Sequence, residues 1–405
     1  MPENLTLKDW ILTIGLKEDP FQDRNAETEP RLNEYFVEPN SFADVLGEAT
    51  NPKSSVLFAP RGGGKTANRV MVDYWCRKVD RLGARVFVVR FTREGLAEVY
   101  KVSRRAEIEG HQLIREILHL STVDILHYLL SHPELYERID SSVKQFLRWL
   151  AREQDPLILD DAQLSRILLR RGFQGALTVR NLRDGLGRLS YKHLTEILPS
   201  DRKHSFQVIC DVFAGGALNI SLIKRPPSDL MKQFADLVLE LEMAATYVLI
   251  DGIDEFAPLD KKPELAARFL EPILSDLRLM ETRPLAFKFF LPNILEPHIL
   301  PHIRKDRVDV FSLTWTNKQL MEMLHRRLIT FSDGRLASLA AISDPEIRGS
   351  VEERVVECSE GLPRNLIRLC AELFRTHVAN GNDSHLLCKK DLETACREFE
   401  KKKAT

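Results

Sequence analysis

Residues 59 to 66 read Ala59-Pro60-Arg61-Gly62-Gly63-Gly64-Lys65-Thr66, followed by Ala67. They fit the pattern G-x-x-x-x-G-K-[ST], with alanine at the first glycine position. These residue types suit the wrapping of a polyphosphate. Successive backbone N–H groups must come close to the phosphate oxygens at a helix N-terminus, and glycines permit that approach. Gly62, Gly63 and Gly64 supply it, Lys65 neutralises β/γ charge, and the Thr66 hydroxyl is placed to contact Mg²⁺. Ala59 is compatible with this role provided its backbone is not left-handed.

A second constellation, Tyr247-Val248-Leu249-Ile250-Asp251-Gly252-Ile253-Asp254-Glu255-Phe256, places three carboxylates directly after an apolar run. A carboxylate at the carboxyl end of a buried parallel strand sits in the crevice where open α/β sheets bind ligands, so Asp251 is the candidate for Mg²⁺ or its water. Asp254 or Glu255 can orient or deprotonate an attacking water, and Glu255 is preferred. A guanine site would carry N-K-x-D. The nearest string, Asn317-Lys318-Gln319-Leu320, lacks that acid, which favours ATP over GTP.

The elements that must position these residues follow from the apolar pattern. Ser55 to Ala59 is a short apolar run entering a glycine loop, as a buried parallel strand does. Val70, Met71, Tyr74 and Trp75 then recur at helical spacing, with no breaker before Gly83, and Arg85 to Val89 is a second strand that completes a β-α-β unit. Further strands are predicted at Tyr247 to Ile250, Leu285 to Leu291 and Val308 to Trp315, separated by helix-sized segments. Thr316 and Gln319 have capping-box spacing, and the remainder of the chain reads as helical.

The loop together with Asp251-Gly252-Ile253-Asp254-Glu255 resembles the additional-strand (ASCE) class of P-loop NTPases, above all the D-G-x-D-E form of the STAND and NACHT groups, relatives of AAA+ ATPases. The resemblance implies an ATP-dependent switch or motor with a five-stranded parallel core and a helical lid. Pro292-Asn293 resembles the position of a γ-phosphate sensor, with Asn293 as the polar group, although the pair also reads as a simple turn. Gly361-Leu362-Pro363-Arg364 resembles the second-sensor motif of the lid, with Pro363 in the first turn of a helix and Arg364 beside it. Arg304 and Arg307 lie where AAA+ subunits present an arginine finger to a neighbour's ATP, although the Arg-Lys-Asp-Arg string reads more readily as a solvated helix end.

The expected fold class is α/β: a parallel-sheet P-loop NTPase core with a large helical insertion and a C-terminal helical lid. Its parts are a lead-in (1–50) packing on the core through Tyr35-Phe36-Val37 and Phe42, a first core portion (51–105), a helical insertion (106–240), a second core portion (241–315) and the lid (316–405). The stretch from Ala162 to Cys210 carries nine basic residues against three acidic ones, a possible phosphate-backbone track, though such faces are more often solvated or paired within the fold.

Over all 405 residues, 58 basic side chains meet 59 acidic ones, so no global field draws the chain to nucleic acid; 44% hydrophobic residues place it among folded proteins. No secretory signal or membrane-length apolar run is present, which points to a cytoplasmic protein. The six scattered cysteines read as reduced, mostly structural thiols. The expected function is an ATP-binding and ATP-hydrolysing switch, slow or partner-stimulated, whose nucleotide state controls homo-oligomerisation or contact with a partner protein. A nucleic-acid-associated AAA+ loader or regulator and a low-turnover ATP-binding scaffold are the alternatives.

Overall fold

The computed structural model describes residues 6–22, 25–103, 110–153, 208, 212, 225–381 and 385–404. Five strands form one sheet: β1 (Ser54–Ala59), β2 (Val86–Phe91), β3 (Ala245–Ile250), β4 (Leu285–Pro292) and β5 (Val308–Ser312). All neighbouring strands are parallel, in the order β2-β3-β4-β1-β5. β1, β3 and β4 are buried along their whole length, which explains their unbroken apolar runs. Lys288, in the middle of β4, is the charged exception.

The order differs from what adjacency along the chain suggests. β2 is not hydrogen-bonded to β1 but lies three places away at the sheet edge, with β3 and β4 between them. The first β-α-β unit therefore spans the sheet rather than pairing its own strands. Because the strands are parallel, Ala59 and Pro292 pair at one edge, and Ile250 pairs with Phe91 close by. That edge receives both the glycine loop and Asp251.

Alternate side chains of each strand feed two cores. Val56, Phe58, Phe87, Val89, Val248, Phe287 and Phe289 face one side, where they meet helices Gly110–Ser131, Ser141–Glu153, Pro227–Glu240 and Pro263–Leu274. The described helices of the 106–240 segment thus supply a covering layer of the sheet itself. Leu57, Val88, Tyr247, Leu249 and Phe290 face the other side, with helix Lys65–Cys76, residues of the lead-in and helices Asn317–Phe331, Val351–Cys358, Pro363–Ala379 and Lys389–Ala404. Phe36 and Phe42 contact edge to face within this second core, and Tyr35 and Val37 are buried there as well.

Two local boundaries depart from the pattern. The helix after the glycine loop ends at Cys76 and a short one resumes at Val79–Leu82, closed by left-handed Gly83. Between them Lys78 is extended, with its ammonium over the Tyr74 ring. β5 stops at Ser312, and Leu313 continues along Phe58 with one backbone bond before Trp315 turns toward the glycine loop. The capping box at Thr316 and Gln319 is formed reciprocally and starts helix Asn317–Phe331.

Candidate functional site

The glycine loop is a tight turn at the tip of β1. The Gly63 N–H donates to the Pro60 carbonyl at 2.9 Å, and Gly62 and Gly64 take φ of +84° and +96°. A Cβ on Gly63 would lie 2.9 Å from that same carbonyl oxygen, so the turn closes only around glycine. Gly64 is the N-cap of helix Lys65–Cys76 and offers no side chain to its first-turn amides, which leaves a helix N-terminus suited to an anion.

Asp251 follows β3 and is buried, with its backbone N–H bonded to Phe91 of β2. The turn behind it is opened by Gly252 at φ +82°, whose N–H donates to Asp251 Oδ1 at 2.8 Å. Arg69 Nε lies 3.3 Å from Asp251 Oδ2, and the Thr66 hydroxyl is close enough to favour the charged form of this carboxylate. Burial raises the Asp251 pKa, opposed by the Arg69 charge, the Thr66 and Gly252 hydrogen bonds and the Lys65 charge. One turn on, Asp254 Oδ2 takes the Lys65 ammonium at 3.2 Å. The exposed Glu255 carboxylate borders the same cleft and has no protein hydrogen bond among the described residues.

The cleft holds about 960 Å³ of space, its open mouth included. Arg61, Gly62, Gly64, Lys65, Thr66 and Ala67 form its floor, with Asp254 and Glu255 on one side. Pro363, Arg364 and Ile367 come from helix Pro363–Ala379, and the Arg364 N–H donates to the Gly62 carbonyl at 3.2 Å. Ala59 is buried at the end of β1, and Pro60 serves the turn through its carbonyl.

Several lining residues carry no signal in the local sequence. Trp315 Nε1 donates to the Gly63 carbonyl at 2.8 Å and so fixes the loop from outside. The lead-in does more than pack: Ala26, Leu32, Tyr35, Phe36 and Val37 form an apolar wall of the cleft. Buried Arg327 of helix Asn317–Phe331 holds that wall, bonding to the Tyr35 hydroxyl at 2.7 Å, to Glu29 at 2.9 Å and to the Pro20 carbonyl. Buried Arg69 reaches Glu27 in the same lead-in while it holds Asp251. Both arginines join segments far apart in the chain, which helical spacing alone does not disclose.

Other candidates stand apart from the cleft. Asn293 begins a 3-10 turn just beyond the Ala59–Pro292 pair, exposed and not lining the cleft. Arg304 pairs with Asp306 at 2.9 Å, and Arg307 with Glu281 at 3.2 Å and Asp306 at 3.3 Å. Both arginines precede Val308, which pairs with Ser54 at the start of β1, so they sit at the sheet edge opposite their own glycine loop. The basic 162–210 stretch lies outside the described residues except for Val208.

The donor set fits Mg²⁺ with a polyphosphate. A turn that a single Cβ would fill, an uncapped helix N-terminus and a lysine converge on one floor, beside a hydroxyl–carboxylate pair suited to a hydrated hard cation. Among the described residues no group of three or more His, Cys, Asp or Glu side chains forms a metal cluster. None of the described helices is long and apolar enough to cross a membrane. No protein-family profile, curated protein or solved structure matches the chain.

Proposed function

We propose that the chain binds ATP with Mg²⁺ in this cleft and hydrolyses it as a nucleotide-driven switch of the STAND and AAA+ kind. The observation that carries this reading is the meeting of the glycine loop at the tip of β1 with Asp251 at the tip of β3, on one sheet edge, with β4 between the two strands. An added strand between the loop strand and the acidic strand is the arrangement that the ASCE resemblance implies.

On this reading the amides after Gly62 and the first turn of the helix bind phosphate oxygens, and Lys65 exchanges Asp254 for the β/γ charge. Thr66 and Asp251 would hold Mg²⁺, which when bound neutralises phosphate charge. Glu255, free of protein partners among the described residues, orients the attacking water and takes its proton. Arg364 carries a cation at the lid side of the floor, and its backbone bond to Gly62 makes lid position depend on loop occupancy. The apolar wall around Tyr35 and Phe36 accommodates the base. Arg304 and Arg307 cannot reach their own cleft, so a finger role for them requires a neighbouring copy.

Titration of the full chain with a fluorescent ATP analogue and Mg²⁺ tests the reading. Saturable binding is expected in the wild type, weakened about a hundredfold or more in Lys65→Ala. Equal affinity in the two proteins would overturn the site.

A further inference from the structure

The structure brings together two of the thiols that are scattered along the chain. Cys358 ends helix Val351–Cys358 and Cys396 lies within helix Lys389–Ala404; these helices pack on each other in the lid. Both cysteines are free, and the packing of the two helices brings them to one place on the surface. They line one open surface groove, together with Arg354, Lys389 and Arg397. Cys358 is half-buried, whereas Cys396 is 8% exposed. Of the other two thiols of this region, Cys370 is fully buried and Cys388 is half-buried, and neither lines the groove.

We propose that Cys358 and Cys396 form an oxidisable dithiol site that takes a hydroperoxide and closes into a disulfide across the lid. Cys358, the more accessible sulfur, is the first nucleophile. Burial and the Cys358 thiol push Cys396 up to about 12, which suits the second, resolving step. The Cys358 thiolate attacks a peroxide oxygen; the S–O bond forms, the O–O bond breaks, and the departing oxygen takes a proton. The Cys396 sulfur then attacks the sulfenic sulfur of Cys358, forming S–S and breaking S–O, and the hydroxyl leaves as water with the Cys396 proton. The two sulfurs together lose two electrons and the peroxide gains two.

The site stands independently of the nucleotide reading, yet its position gives it reach. Cys358 is followed by the turn that leads to Arg364, whose N–H is bonded to Gly62. A bond to Cys396 would anchor the near end of that connection to the last helix.

The test is treatment of the full chain with hydrogen peroxide, alkylation of remaining thiols and peptide mass spectrometry without reductant. A cross-linked Cys358–Cys396 peptide pair is expected, lighter by two hydrogens, with alkylatable thiols falling from the six of the chain to four and returning on reduction. Cys358→Ser and Cys396→Ser should each abolish that cross-link while keeping the far-UV circular dichroism of the wild type. Six alkylatable thiols after treatment would overturn the proposal. So would Cys358 carried on to the sulfinic acid beside a free Cys396 thiol, or a disulfide joining two copies instead of one lid.

Discussion

The Lys65 ammonium and the Asp254 carboxylate hold each other at 3.2 Å, both largely buried at the floor of the cleft. Each would otherwise be a charge with little solvent, and the pair satisfies both. The proposed phosphate must displace Asp254 to reach Lys65. Asp254→Asn is therefore expected to tighten ATP binding several-fold, measured by direct titration, whereas weaker binding would mean that Asp254 itself contacts the ligand.

Glu255 is the carboxylate left for water activation, because Asp254 is engaged by Lys65 and Asp251 by Arg69. Glu255→Gln should retain ATP affinity and lower turnover by about a hundredfold or more. Phosphate release measured alongside binding separates the two effects. A rate unchanged from wild type would remove Glu255 from the mechanism and favour a scaffold that hydrolyses little.

The turn around Gly63 makes a sharper test of the loop. In Gly63→Ala the added Cβ meets the Pro60 carbonyl at 2.9 Å, so the backbone must shift at the place where phosphate is proposed to bind. Nucleotide affinity should fall about tenfold to a hundredfold through lost charge-assisted hydrogen bonds. The melting midpoint should change little, since the loop lies at the edge of the core. Full affinity in this variant would show that the amides of the turn do not serve the ligand.

Arg327 joins helix Asn317–Phe331 to the lead-in through Glu29, which is 5% exposed at its side chain. Arg327→Met leaves that carboxylate buried without its counter-charge and should cost about 3 to 5 kcal/mol in urea unfolding. Adding Glu29→Gln should recover much of the loss, because the orphaned charge is then gone. Additive losses in the double variant would count against the pair.

Lys288 gives stability a pH signature. Burial in the sheet lowers its pKa from 10.5 to about 8, opposed by its electrostatic interactions with Cys76 and Asp309, while its amine lies over the Tyr247 ring at 4.9 Å. Between those two values the unfolded chain holds the proton and the folded one has released it, so stability rises with pH across that window. The gain is about 3 kcal/mol, absent below the folded value and complete above the unfolded one. Lys288→Met should be more stable than wild type at pH 7, and the difference should shrink toward pH 10. Parallel pH profiles for the two proteins would refute this.

The strands were legible in the sequence for a physical reason. Burial on both faces forces continuous apolar runs, and the chemistry-bearing residues Lys65, Thr66 and Asp251 sit where those runs end. Strand order was not legible, because nothing local to β2 says that β3 and β4 will separate it from β1. Arg69 and Arg327 escaped for a related reason: each looks like one more polar position on a helix until folding delivers Glu27 or Glu29 to it. The nearness of Cys358 and Cys396 was not legible either, since the two meet only when helices Val351–Cys358 and Lys389–Ala404 pack.

The position of β1 sets the timing of assembly during synthesis. Its two hydrogen-bonding neighbours are β4 and β5, so no partner strand exists until residues 285 to 292 have emerged from the ribosome, and the cleft further requires Arg364 and Ile367. At ordinary translation speeds the apolar segment 54–59 waits roughly 10 to 50 s without a sheet to join. A nascent chain shorter than that lacks the completed cleft, and over this interval the apolar strand is exposed surface prone to aggregation.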